Sequence, residues 1–261
     1  MNDILQIIAE NKRKEVKSLF LTGYYSQKAL EDKDLFPVFS LKDSILSRPG
    51  GIIAEFKRRS PSKGEISPTA DVGKIIPQYK DNGAAAFSIL TDTRFFGGAI
   101  TDLTVARTIS EEIPILRKDF IVSPLQIEEA RKIGASAILL IAAILTKEEI
   151  KTFNDIAHSF GMETLIEIHD LKELDKITFE PDLLGVNNRN LSSFVTNLNH
   201  SVDLIPSLPK NHVLIAESGI KSPEDLKRLK EAGFSGFLIG EALMASSNPG
   251  ETLKKFIDAA K

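Results

Sequence analysis

The chain has 261 residues, 42% hydrophobic and 26% charged, with no cysteine and a formal net charge of -3. Without cysteine, a disulfide scaffold, a thiolate metal site and a thiol nucleophile are all excluded. The length suits one large α/β barrel or two ordinary domains, the apolar share is enough for a packed core, and the mild charge argues against a general nucleic-acid binder.

Residues 1–49 precede the first strand signal. Ile4, Leu5, Ile8, Val16, Leu19 and Phe20 give a partial apolar stripe on a charged helix, followed by Phe36 and Phe39. This predicts a helical extension packed on the rest of the chain, with partner binding as the alternative. Glu10 and Lys12 break the apolar run too early for a signal peptide, and the longest apolar stretch, 135–145, is about half of a bilayer span. A cytoplasmic protein without a membrane partner is expected.

From residue 50 on, one plan recurs. Gly83, Gly134 and Gly233 each close a helical pattern and are followed by small and then apolar residues. Glycine after a helix is a left-handed cap, and the short apolar run beyond it is a strand buried on both faces. The glycines are spaced by multiples of about 25 residues, the length of a βα unit. Filling in the units gives strands at 51–54, 85–90, 115–117, 137–141, 163–166, 183–186, 213–216 and 237–239. Helices start between them at Ser123-Pro124, Thr146-Lys147-Glu148-Glu149 and Ser222-Pro223-Glu224, which pair a capping hydroxyl with Pro or Glu in the first turn. Eight parallel strands alternating with helices are the arithmetic of a closed (β/α)8 barrel spanning 50–261. An open doubly wound sheet is the alternative, but no Gly-rich dinucleotide loop follows the first strand. No linker divides the chain, so 1–261 reads as a single domain.

In such a barrel the residues just after the strands converge on one face. The inventory there is highly charged. Strand 1 is followed by Glu55 and a loop with Lys57, Arg58, Arg59 and Lys63; strand 3 by Lys118; strand 5 by Glu167; strand 6 by Asn187 and Arg189; strand 7 by Glu217 and Ser218. Ser218-Gly219 and Gly240-Glu241, with a short helix at 241–244, lie at the usual phosphate position, where glycine lets backbone N–H groups approach an anion. Their alternative is simple tight turns. Ser60 and Lys57 could complete the cradle, with Glu241 offering its amide and turning its carboxylate outward. Lys118 and Glu167 are the acid/base candidates, expected to be drawn toward neutrality by desolvation and opposite charge. A purely structural ion pair is the competing explanation. Arg189 and Asn187 suit a second anion or a carbonyl. Phe96 and Phe120 can hold a planar ligand against the apolar end of strand 4. The four histidines are expected to be solvated or structural, and none has metal-ligand spacing with another.

Six motifs in order carry a specific resemblance: Glu55-Phe56-Lys57-Arg58-Arg59-Ser60-Pro61-Ser62-Lys63-Gly64, Leu116-Arg117-Lys118-Asp119-Phe120-Ile121-Val122, Leu165-Ile166-Glu167-Ile168-His169, Gly185-Val186-Asn187-Asn188-Arg189-Asn190-Leu191, Ala216-Glu217-Ser218-Gly219-Ile220 and Leu238-Ile239-Gly240-Glu241-Ala242-Leu243-Met244. Together they resemble the indole-3-glycerol phosphate synthase family of tryptophan biosynthesis. The resemblance implies a metal-free, cofactor-free lyase that converts 1-(2-carboxyphenylamino)-1-deoxyribulose 5-phosphate to indole-3-glycerol phosphate, carbon dioxide and water. Its partner is then a small anionic substrate rather than nucleic acid or membrane, and the protein a monomer or weak homo-oligomer.

The resemblance also implies roles. Lys118 becomes the general acid of ring closure and Glu167 the base at the anilino nitrogen, with Glu55 and Lys57 an acid/base pair for dehydration. Asn187, Arg189, Glu217 and Ser218 contact substrate, Phe96 and Phe120 line the anthranilate pocket, and Ser60, Gly219, Gly240 and Glu241 hold phosphate, the last by its backbone. Two other possibilities are weaker. The sister phosphoribosylanthranilate isomerase resembles a Cys/Asp design, which a chain without cysteine lacks, and a non-catalytic sugar-phosphate binder would be expected to have lost Lys118 or Glu167.

Overall fold

The computed structural model describes residues 4–25, 36–190 and 195–261; Leu191, which ends the fourth motif, lies outside them. Eight parallel strands close on themselves: β1 (Ile52–Phe56), β2 (Ala86–Leu90), β3 (Ile115–Lys118), β4 (Ala137–Ile141), β5 (Glu163–Ile168), β6 (Leu183–Asn187), β7 (Leu214–Glu217) and β8 (Gly236–Ile239). Closure comes from β1 pairing with both β2 and β8, with Ile52 opposite Phe237. Nearly every strand residue is buried, as continuous apolar runs demand when helices cover one face and the barrel interior the other.

The capping glycines take positive φ, 88° at Gly83, 95° at Gly134 and 119° at Gly233. Ser123 caps its helix by accepting from the Leu125 N–H, and Thr146 with Glu149 forms a reciprocal capping box. Ser222 does the same with Asp225 rather than Glu224, because the third helical position is the one that can reach back.

Most strand limits shift toward the C-terminus of the sequence expectation, β8 alone starting earlier, at Gly236. Gly51 belongs to a 3-10 turn, Ala85 and Val213 precede their strands, and β3, β5, β6 and β7 run on to include Lys118, Glu167, Asn187 and Glu217. Polarity ends an apolar run in the sequence, but the backbone ladder continues past it, so these side chains sit on rigid strand rather than on loops.

The extension packs on the barrel. Helix α1 (Ile4–Leu21) buries Leu5, Ile8, Ala9, Lys12 and Val16, whereas Phe20, expected on the apolar stripe, is 57% exposed. Lys12 and Val16 continue the line from Leu5 and Ile8, and Phe20 follows on the same line but in the last turn, where the neighbouring Leu21 is also exposed. Lys12 stays buried because its ammonium lies 3.1 Å from Asp92 and 3.2 Å from Asp119. A second helix, α2 (Leu41–Ser47), is tied to the start of β5, where the Glu163 carboxylate accepts from Ser40 Oγ and from the N–H groups of Leu41 and Lys42 at 2.6–3.0 Å. Among the described residues no helix is long and apolar enough to cross a membrane.

Candidate active site

Parallel register brings the charged strand ends to one level. Leu90 pairs with Lys118, Ile141 with Glu167, Glu167 with Gly185, and Asn187 with Glu217. Above this layer opens a cavity with about 1030 Å³ of atom-free space, part of it continuous with solvent. Lys118, Glu167, Glu55, Lys57, Asn187, Glu217, Ser218, Arg189, Phe96, Phe120, Ser60, Gly219, Gly240 and Glu241 all line it. Ile4, Leu5 and Ile8 of α1 also contribute to its wall, a role that their apolar spacing alone did not distinguish from plain packing.

The floor is a cluster of buried charges. Lys118 Nζ lies 3.3 Å from Glu167 Oε2 and 3.5 Å from Glu217 Oε2. Lys57 Nζ donates to Glu55 Oε1 at 2.5 Å. Two glycines make room for the carboxylates: a side chain at Gly185 would run into Glu217 Oε1, and one at Gly240 would place its Cβ 2.9 Å from Glu55 Cδ and against the carboxylate oxygen. Gly240→Ala is therefore expected to push Glu55 off its position and to lower kcat at least tenfold, since ångström-scale misplacement of a catalytic group is that costly. Steady-state kinetics beside a thermal melt check this; an unchanged kcat would show that Glu55 has slack.

The pKa directions correct one expectation. Burial acts to lower Lys118, but Glu167, Glu217 and Glu55 outweigh it and hold the ammonium above its ordinary range. Burial acts to raise Glu167, yet Lys118 and then His169 bring it down to about 2. Both groups move away from neutrality, because mutual attraction in a dry site exceeds each desolvation cost. Burial and the neighbouring Glu167 carboxylate instead push Glu217 well above the usual carboxylate range. With three carboxylates near one buried lysine, the excess negative charge favours a proton on Glu217.

The end expected to hold phosphate differs in detail from expectation. The short helix Glu241–Met244 is present with Gly240 as its cap, and Gly219 has φ 81°. Ser218 has φ 67°, the one non-glycine with positive φ among the described residues. The Glu241 carboxylate does not turn outward: it lies 3.4 Å from Arg189 Nη2 and 3.3 Å from Lys63 Nζ. Arg189 also donates to Ser62 Oγ at 2.6 Å, which ties it to the loop after β1 rather than to the Lys118 end. The basic character of that loop is mostly consumed internally. Arg58 forms a two-pronged pair with Asp102 at 2.5 and 2.9 Å, and Arg59 donates to the carbonyls of Thr93 and Arg94. Phe96 and Phe120 approach with ring centroids 6.0 Å apart at 37°.

One family model, that of indole-3-glycerol phosphate synthase, matches residues 5–256. The chain belongs to the indole-3-glycerol phosphate synthase family. A synthase of that name from Bacteroides thetaiotaomicron is 46% identical over 99% of both chains, and one from Shouchella clausii is 40% identical over 96% of both. Among solved structures, 3-hexulose-6-phosphate synthase from Salmonella typhimurium superposes with a TM-score of 0.64 at 9% identity, covering 80% of this chain and 97% of that one, which speaks to the fold alone. As a member of the indole-3-glycerol phosphate synthase family, the protein is a carboxy-lyase of tryptophan biosynthesis.

Beside the cavity lies His169, expected to be solvated or structural; it is not solvated, since its side chain is only 16% exposed and lies between two carboxylates, with Nε2 3.4 Å from Glu167 Oε1. The signal was its place two residues beyond Glu167, which puts both side chains on one face of β5. His158 conforms to expectation, on a helix surface 2.8 Å from Asp182.

Proposed function

We propose that the mouth cluster carries out ring closure, decarboxylation and dehydration of 1-(2-carboxyphenylamino)-1-deoxyribulose 5-phosphate with this chain's own acids and bases. The observation that carries the assignment is the Lys118–Glu167–Glu217 cluster, an ammonium 3.3 and 3.5 Å from two buried carboxyls whose pKa values are driven in opposite directions. Lys118 Nζ gives its proton to the substrate carbonyl oxygen as the aromatic carbon attacks, so no free alkoxide forms. Glu167, ionised, faces the anilino nitrogen and balances the positive charge that develops there. Loss of carbon dioxide returns its bonding electrons to the ring. Dehydration then needs an acid on the leaving hydroxyl and a base for the adjacent proton, and the Glu55–Lys57 pair supplies both.

The substrate spans the mouth. Its anthranilate ring rests against Phe96 and Phe120, and its phosphate takes the backbone N–H groups at Gly219, Gly240 and Glu241 with the Ser60 hydroxyl. Asn187, Arg189 and Ser218 orient the chain between them. Because Glu241 neutralises Arg189 and Lys63 before substrate arrives, the phosphate competes for those cations rather than meeting bare charge. With α1 forming part of the cavity wall, residues 1–261 act as one cytoplasmic domain.

The test is direct: the purified protein, given the carboxyphenylamino sugar phosphate in the presence of a chelator, should release a product with indole fluorescence. Absence of product, or turnover that requires added metal, overturns the assignment.

A further inference from the structure

The mechanism gives no work to the imidazole at the edge of the cluster. Glu167 and His169 lie two apart at the end of β5, and the ring continues toward the rim. Its Nε2 is 3.4 Å from Glu167 Oε1 and its Nδ1 3.5 Å from Glu173 Oε2. Both ring nitrogens are buried, and neither makes a hydrogen bond of good geometry, so the ring faces the two carboxylates as a charge contact. The ring is held from behind, because the Glu173 carboxylate accepts the His169 backbone N–H at 2.7 Å and His200 Nε2 meets the His169 carbonyl oxygen at 2.5 Å. The imidazole therefore lies between two carboxylates, Glu167 of the catalytic floor and Glu173.

We propose that His169 is a positioning residue that clamps Glu167 Oε1 and keeps this carboxylate ionised while Lys118 is discharged. The inference rests on the roles proposed above, and its reason is charge accounting during ring closure. Before reaction Glu167 has Lys118 on Oε2 and His169 on Oε1. When Lys118 gives its proton to the carbonyl oxygen, its N–H bond breaks, an O–H bond forms on substrate, and the cation beside Glu167 becomes a neutral amine. Glu217, the neighbouring carboxyl on which the crowding of carboxylates favours a proton, can then donate to Glu167. If that proton moved across, Glu167 would be neutral just as positive charge grows at the anilino nitrogen. An imidazolium on the other oxygen opposes the transfer, and Glu173 favours the imidazolium. Charges facing the ring are Glu167 and Glu173 in attraction and Lys118 in repulsion; burial lowers its pKa, but the two carboxylates outweigh burial and hold it above the ordinary histidine value.

His169→Gln retains hydrogen-bonding capacity and most of the volume but not the charge. Its kcat is expected to fall about tenfold while KM changes less than about twofold, because the loss is felt in the transition state rather than in binding. The acid limb of its kcat/KM–pH profile should also move up by about one unit, since a carboxylate that loses a neighbouring cation holds protons more tightly. Glu173→Gln keeps an acceptor for the His169 N–H and leaves the ring in place, and it should move the same limb in the same direction by a smaller amount. An acid limb that coincides with wild type in either variant, or a kcat within about twofold of wild type for His169→Gln, overturns the clamp. Lys118→Ala is run alongside. If it retains turnover, the underlying roles fail; if it is inactive while the limbs stay put, only the clamp fails.

Discussion

Lys118→Ala should lower kcat by about a thousandfold, the middle of the range for loss of a positioned general acid, while the substrate still binds. Nothing else on the floor can take over. Lys57 is engaged with Glu55 at 2.5 Å, and Glu217, the other group on which a proton is favoured, is itself 3.5 Å from Lys118 rather than in its place. Binding survives because phosphate and ring contacts lie at the two ends of the mouth, away from Nζ. The fold should tolerate the change as well: without the ammonium, Glu167 shifts upward in pKa and shares a proton with Glu217, and the one charge left on the pair still faces His169 at 3.4 Å. Single-turnover indole fluorescence and calorimetric titration with substrate separate the two effects. A variant that keeps most of its rate would remove Lys118 from the acid role, and one that loses binding in parallel would make it a docking residue instead.

The second large effect concerns stability. Lys12→Met removes the ammonium between Asp92 and Asp119, both buried, and is expected to cost about 3–5 kcal/mol, the usual penalty for stranding buried charge. In a chain of this size the melting temperature should drop by about 10 °C. Arg117 reaches Asp119 at 3.2 Å but also holds Glu129 at 2.8 Å, so it compensates only in part. Adding Asp119→Asn to Lys12→Met should recover part of the loss, because the stranded carboxylate is then gone.

The pH dependence has a definite sign. Burial opposes ionisation of Asp119, but Lys12 and Arg117 hold its pKa below the ordinary value. Stabilisation from a depressed carboxyl is complete above the unfolded-state pKa, about 4, and is lost as pH falls toward the folded value. The gap between Lys12→Met and wild type should therefore be full at neutral pH and narrow in acid. Thermal melts across pH decide it; a difference below about 2 °C at pH 7 would show that the buried aspartates find other compensation.

How far the sequence reaches depends on whether a feature is local. Strands were legible because burial on both faces writes an unbroken apolar run, and helix starts because a cap and its partner lie three residues apart. Lys118, Glu167 and Glu217 were legible because the barrel sends strand ends to one face. What failed is what depends on distant partners. Lys12 reads as a solvated charge in α1, since Asp92 and Asp119 are 80 and 107 positions away in the chain. The loop from Lys57 to Lys63 reads as free positive charge because Asp102 and Glu241 belong to other units. The pKa directions of Lys118 and Glu167 came out opposite to expectation because the pairing of the two could be foreseen as an alternative but not its strength: at 3.3 Å in a dry site the attraction exceeds the desolvation.

Ser218 has one further consequence. Its left-handed backbone is one that glycine adopts without strain, and that a serine side chain resists. Robustness and chemistry therefore pull in opposite directions at this residue. A lineage selected only for endurance to heat would drift toward glycine here and surrender the hydroxyl at the cavity wall, whereas one selected for throughput would keep the strained serine and recover the lost stability elsewhere.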